Sequence, residues 1–313
     1  MSKTKKITVH APATSANLGP GFDVLGVALN LYNEVTFEAE MVTSQAFSKK
    51  PLIRMDIEGE GAVTLPHDAT NLVVRAAYRV FDRVRRWPSK FHIRMVNRIP
   101  LSRGLGSSSA TIVAGLAAAN RLCGSPMPDQ ALLDLAVGLE GHPDNVVPSF
   151  VGGLCVCGMV DRRTRYLKFK VPADLRAVVC IPEKQIETTA ARRVLPSRIP
   201  LSAAVFTSSH AVFLLGSILQ KRYDWLGFAK DDVLHQPARA SLIPGFSEVL
   251  AQAKKAGAYG AALSGSGSSV LAFSKSGATA KAVGEAMQKR FAAHGMPSRW
   301  LELKLEDKGI RYK

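Results

Sequence analysis

The chain has 313 residues, 47% of them apolar, enough for one large or two medium domains with substantial cores and too apolar for a disordered chain. Its formal net charge of +16 raises nucleic-acid binding, but the basic residues are scattered and accompany no zinc-finger, homeodomain or RNA-recognition signature. No apolar run approaches the ~18–20 residues of a membrane span. The charged start lacks the apolar stretch of a secretory signal, and four cysteines without a second Cys/His pair fit reduced thiols in a cytoplasmic protein better than a zinc site.

In chain order, 7–10 reads as a strand that runs into A-P-A-T-S-A-N-L-G-P-G-F-D-V-L-G (11–26). Pro12, Gly19, Pro20, Gly21 and Gly26 predict irregular backbone there. Thr14, Ser15, Asn17 and Asp23 on that loop suit a small molecule, or an ordinary turn bonding its own backbone. Residues 43–51 read as an exposed loop. A helix over 70–87 places Leu72, Val73, Ala77, Val80, Phe81 and Val84 on a core stripe, with Arg75, Arg79 and Arg83 on the wet face.

An alternating strand (91–96) then leads into P-L-S-R-G-L-G-S-S-S-A, followed by a helix of small residues (111–120). Gly104 and Gly106 permit a tight turn and close backbone approach. Ser107, Ser108 and Ser109 fall near the helix start, where free N–H groups and the dipole attract anions. This is a phosphate cradle at a strand-to-helix junction. It is no Walker A loop, because no Lys follows the last Gly, and it lacks the third Gly of the dinucleotide fingerprint.

A helix begins at Pro128–Asp129 and ends at Gly141 and Pro143, which leaves Glu140 at its negative end. A carboxylate is unfavourable there unless a cation lies nearby. Gly152–Gly153 opens a strand pair with a turn at 161–164. A strand over 177–181 and helices over 203–220, 246–255 and 279–293 follow, with a second glycine–serine turn, L-S-G-S-G-S-S-V, at 263–270. Mixed strands and helices in both halves predict an α+β protein.

The three motifs, in this order, resemble the GHMP kinase superfamily. P-L-S-R-G-L-G-S-S-S-A is similar to its phosphate loop with one extra Ser, and L-E-G-H-P-D-N-V to its E-G-H-x-D-N-V segment. T-T-A-A-R-R-V-L-P and D-V-L-H-Q-P-A-R-A-S-L-I-P-G-F resemble two further family segments. Within the superfamily, 11–23 resembles the homoserine kinases. Ser268 departs from the family, which commonly has Pro there.

The resemblance implies a two-domain fold, a ribosomal-S5-like N-terminal domain (1–165) and a ferredoxin-like C-terminal domain (166–313), with the site between. It implies ATP and Mg²⁺ as cofactors and L-homoserine as the phosphate acceptor, on the route to threonine. Another small hydroxy acid such as threonine or shikimate, or a non-catalytic binding role, are the alternatives. Pro100, Leu101, Ser102, Arg103, Gly104, Leu105, Gly106, Ser107, Ser108, Ser109 and Ala110 would hold ATP, with Asn71 as a candidate for the adenine. Glu140 with Ser107 or Ser108 would hold Mg²⁺. Arg192 and Arg239 would take the acceptor carboxylate and Asp23 its ammonium, with Gly265 beside them. Asn17, His142 and Asn145 would neighbour the hydroxyl, and Asp144 would brace that loop or act as the base. A homodimer with no nucleic-acid or membrane partner completes the expectation.

Overall fold

Two long strands near the N-terminus set the architecture. In the computed structural model, which describes residues 4–42 and 51–313, β1 (Lys5–Asn17) and β2 (Gly21–Val42) pair antiparallel. The expected loop at 43–51 lies, apart from Pro51, outside the described residues. The irregular backbone expected from 11 to 26 is corrected: the strands continue through most of it. Register shifts after Pro12 and after Ala16 mark bulges, and a bulge tolerates a proline that cannot donate to the ladder. The connecting turn shrinks to 18–20, with Asn17 and Leu18 at φ 67° and 54°. Gly26 serves close packing inside β2, since a Cβ there would stand 1.8 Å from the Asp144 carbonyl oxygen.

β3 (Leu52–Gly59) runs parallel to β4 (Trp87–Asn97), which pairs with β2; β5 (Leu154–Val160) pairs with β2 and with β6 (Arg163–Phe169). Asp161 and Arg162 make the tight turn of that last hairpin, both at positive φ. On this sheet pack α1 (Leu72–Val84), α2 (Ser107–Leu122), α3 (Asp129–Glu140) and α4 (Pro143–Val151). All of α2 except Ser108 and Arg121 is buried, which is why it is built from alanine and other small residues. At Gly115 a Cβ would lie 2.7 Å from the Val73 carbonyl oxygen, so α1 and α2 approach backbone to backbone there.

A second, antiparallel sheet has the order β10–β7–β9–β8, from β7 (Arg176–Pro182), β8 (Gly260–Leu263), β9 (Val270–Ser274) and β10 (Ser298–Lys304). Against it lie α9 (Phe246–Lys255) and α10 (Ala278–Ala293). Four helices bridge β7 and α9: α5 (Thr188–Arg193), α6 (Leu201–Leu219), α7 (Leu226–Ala229) and α8 (Gln236–Ala240). β11 (Arg311–Tyr312) returns to β1.

One composition expectation needs correction at α6. This 19-residue helix carries no Lys, Arg, Asp or Glu and is long and apolar enough to cross a membrane. Its serines, Thr207 and His210 break up any continuous apolar run. Only Leu214, Ser217 and Ile218 are buried, while Leu201 and Val212 are 81% and 71% exposed.

Candidate active site

The three glycine-rich segments clasp one another. Ser264 Oγ donates to the Gly104 carbonyl (2.7 Å) and shares a 2.8 Å hydrogen bond with Ser15 Oγ. The Thr14 amide donates to the Leu105 carbonyl, and the Gly265 amide to that of Ala16. Ser268, where the family has Pro, donates its hydroxyl to the Lys184 carbonyl and so ties the third turn down by another means. A Cβ on Gly104 would be 1.9 Å from the Ser264 carbonyl oxygen. The glycines here let three loops meet around a cleft of about 570 Å³.

Pro100 through Ser108 line this cleft, whereas Ser109 and Ala110 lie behind it in α2. Arg103 lines it without aiming its charge at it. The guanidinium donates to the Leu101, Pro182 and Glu183 carbonyls, holding the loop to the end of β7. Asn71 also borders the cleft, but both ends of its amide are engaged. Oδ1 caps α1 by accepting from the Val73 amide, and Nδ2 donates to the Pro66 carbonyl. It is the N-cap of α1, with a second Nδ2 hydrogen and a second Oδ1 lone pair unspent.

Glu140 sits at the last turn of α3, with Gly141 closing the helix at φ +95°. Its Oε1 accepts from Ser108 Oγ (2.6 Å) and Ser109 Oγ (2.8 Å) at the positive start of α2. Ser107 Oγ is buried with no partner among the described residues. A lone carboxylate, adjacent hydroxyls and one orphaned oxygen at a helix N-terminus fit a divalent ion shared with phosphates, which needs only one or two protein oxygens. No cluster of three or more His, Cys, Asp or Glu suited to a metal occurs among the described residues, and the four cysteines are buried and free. Burial pushes Cys123 up to about 11 and Cys155 up to about 12, so both are inert thiols.

The far side of the cleft is cationic with one carboxylate. Arg192, on α5, grips Asp23 through both Nη atoms at 2.8 and 3.0 Å. Arg239, on α8, is 2% exposed. It spends Nε on the Ala191 carbonyl and Nη1 on the Gly265 carbonyl and His235 Nδ1, leaving Nη2 without a partner. Burial, and then the nearby Arg192, bring its guanidinium down to about 10. Both arginines stand over the Phe22 ring, at 5.6 and 5.3 Å. His235 Nε2 lies 2.7 Å from the Gly19 carbonyl, which can only accept, so Nε2 carries the proton and Nδ1 offers its lone pair to Arg239. Burial lowers His235 below its ordinary range, consistent with this neutral tautomer.

Between the two sides lie the remaining polar groups. Asn17 donates to the Gly265 carbonyl and accepts from the Asp23 amide, bridging the first and third motifs. Asn145 Oδ1 accepts from Thr14 Oγ1 (2.8 Å), and its Nδ2 is unspent. His142 Nδ1 donates to Asp144 Oδ1 at 2.6 Å. Burial alone would lower His142, but the Asp144 hydrogen bond and charge, with Glu140 nearby, raise it above its ordinary value. Sequence reasoning missed Phe22, His235 and the wall formed by Ile186, Glu187, Thr188 and Thr189. The i, i+4 spacing of His235 and Arg239 was the available signal for the second.

The family model for the GHMP kinases N terminal domain matches residues 71–153, and that for the GHMP kinases C terminal domain matches 214–293. A homoserine kinase from Carboxydothermus hydrogenoformans is 44% identical over 311 residues, covering 98% of both chains. One from Halothermothrix orenii is 40% identical, covering 98% of this chain and 96% of the relative. The crystal structure of homoserine kinase from Cytophaga hutchinsonii superposes with TM-score 0.86 at 34% identity, over 98% of this chain and 97% of that one. Mevalonate kinase from L. major, at 14% identity and TM-score 0.72 over 99% of this chain and all of that one, shares the fold. The chain therefore belongs to the homoserine kinase family of two-domain α+β GHMP kinases.

Proposed function

We propose that the chain transfers the γ-phosphoryl group of ATP to the side-chain hydroxyl of L-homoserine, giving O-phospho-L-homoserine on the route to threonine. The observation that carries it is the Asp23–Arg192 pair beside Arg239, across one cleft from the glycine loop. A free amino acid brings an ammonium and a carboxylate at fixed spacing. Its ammonium replaces Arg192 on Asp23, and its carboxylate takes the freed guanidinium of Arg192 and the unspent Nη2 of Arg239, a planar donor set that Lys cannot copy. A mevalonate-like acid has no use for Asp23.

The first-turn amides of α2 would hold the polyphosphate, and Glu140 with Ser107 or Ser108 would hold Mg²⁺. When bound, the ion draws off phosphate charge. Asn145 and Asn17 orient the acceptor hydroxyl, with His142 beside them. Asp144 is already engaged by His142, which supports a bracing role rather than proton abstraction. The division we propose gives the phosphate side to residues up to about 165 and the acceptor arginines to the rest.

Arg192→Lys and Arg239→Lys test the acceptor assignment. Each should raise the homoserine KM at least about tenfold, roughly 1.4 kcal/mol, with ATP KM little changed. Loss of ATP affinity with an unchanged homoserine KM would reverse the assignment.

The partners follow the same reading: a small molecule, no nucleic acid and no membrane, in the cytoplasm where ATP is made and used. A second copy is the one macromolecular partner we infer, through α6. Half the lateral surface of a helix about 28 Å long and 11 Å wide is about 480 Å². Trp225 and Phe228, in ring contact with Phe213, extend it toward the ~800 Å² per partner of a stable interface. Two chains of charge +16 repel, and α6 is a face where neither brings a charged side chain. An uncharged helix also meets its own copy across a two-fold axis without opposing like charges.

A further inference from the structure

Of the five N–H groups on the Arg239 side chain, three are engaged inside the protein. Nε donates to the Ala191 carbonyl, and Nη1 donates to the Gly265 carbonyl at 3.0 Å and to His235 Nδ1 at 3.2 Å. The two hydrogens of Nη2 are left for the cleft, which Arg239 lines. His235 stands behind it, fully buried, and is held from three directions. The Asp232 carboxylate accepts from the Leu234 and His235 amides at 2.9 Å and from the Gln236 amide at 2.6 Å, which anchors the backbone. The imidazole lies 5.2 Å from the Phe22 ring, over which both cleft guanidinium groups also stand. Nε2 donates to the Gly19 carbonyl, in the turn between β1 and β2. A guanidinium can only donate, so the contact with Arg239 exists only while Nδ1 is unprotonated. Burial first, and then the Arg239 charge, keep a second proton off the ring. They do so against the pull of Asp23 and of Asp232, whose carboxylate is 3.5 Å from Nε2.

We propose that His235 is a positioning residue for the acceptor, resting on the assignment of Arg239 to the homoserine carboxylate: its Nδ1 lone pair fixes the plane of the Arg239 guanidinium so that Nη2 faces that carboxylate. Without an acceptor at Nδ1, one Nη1 hydrogen loses its partner at a residue only 2% exposed. A buried unpaired donor is costly, and the guanidinium relieves that cost by tilting. Tilting takes it out of the planar geometry that two arginines need around one carboxylate. The disturbance reaches Arg192 as well, because Ala191, which accepts from Arg239 Nε, directly precedes Arg192 in α5. The local chain favours the pairing. The Arg239 amide donates to the His235 carbonyl at 3.0 Å, and residues four apart on such a turn share a face.

Two substitutions separate the ring nitrogens. Asn puts its Oδ1 where Nδ1 stands and falls short of Gly19, whereas Gln reaches toward the place of Nε2 and offers no acceptor at Nδ1. Steady-state kinetics of the full chain, at a temperature where thermal melts show each variant folded, test the role. His235→Gln should raise the homoserine KM at least about fivefold, with the ATP KM unchanged and kcat within about threefold. His235→Asn should keep the homoserine KM within about twofold of wild type. On an Arg239→Lys background, His235→Gln should add less than about twofold, because it acts through Arg239. An unchanged homoserine KM in His235→Gln, an Asn variant as impaired as the Gln variant, equal effects on both backgrounds, or an ATP KM that rises in step would each overturn the positioning role. A wild-type homoserine KM in Arg239→Lys alone would overturn the assignment of Arg239 to the acceptor, and the role of His235 with it.

Discussion

Residue 106 needs a glycine for two reasons. Its φ is +68°, and a Cβ would stand 2.0 Å from Thr14 Oγ1. The side chain would thus point at the Thr14–Asn145 pair rather than at a ligand. Gly106→Val should cost at least the ~1–2 kcal/mol of left-handed strain in a thermal melt and also lose most turnover; a variant with wild-type melting and kcat would refute this. His142 makes a pH prediction. Its folded value is raised, so the His142–Asp144 pair adds stability below the free value of 6.5 and loses it as pH rises through the folded value. The melting difference between wild type and His142→Gln should be larger at pH 6 than at pH 8.5, and the opposite order would reject a charged pair. Glu140, Arg192 and Arg239 were legible as motif letters. What they touch was not, because the bidentate grip of Arg192 on Asp23 joins residues 169 positions apart.

At the scale of elements, α1, α3, α9 and α10 were legible because apolar residues recur at helical spacing between clear stop signals. β1 and β2 were not, because prolines and glycines that usually break strands here sit at bulges and close contacts. Asn71 shows the same limit: a cap and a ligand contact look alike in one letter. Asn71→Ala should destabilise the protein by about 1 kcal/mol through the lost cap, with the ATP KM unchanged at a temperature where the variant is folded. A raised ATP KM without lower stability would return it to the nucleotide.

At the scale of the molecule, two features lie outside the motifs: an uncharged helix on the surface and a lysine in the interior. If α6 joins two copies, the mass in solution should be twice the 33.7 kDa of the chain. Val212→Glu, at a position 71% exposed in the single chain, should give a folded monomer; a wild type that sediments as a monomer, or only with lipid vesicles, would contradict this. Lys230 should titrate in stability. Its folded value of about 7 lies below the free 10.5, so the unfolded chain holds the extra proton in that window and stability rises with pH across it. Lys230→Met should therefore gain on the order of a few kcal/mol at pH 7 and much less at pH 10, and a gain that grows with pH would contradict a buried amine. The whole cleft is tested at once by ATP-dependent phosphorylation, by the purified chain with Mg²⁺ present, of homoserine, threonine, shikimate and mevalonate. The highest kcat/KM should belong to L-homoserine, and Glu140→Gln should lower it by orders of magnitude. A higher kcat/KM with one of the other three, or no turnover of homoserine, would contradict a cleft built for homoserine.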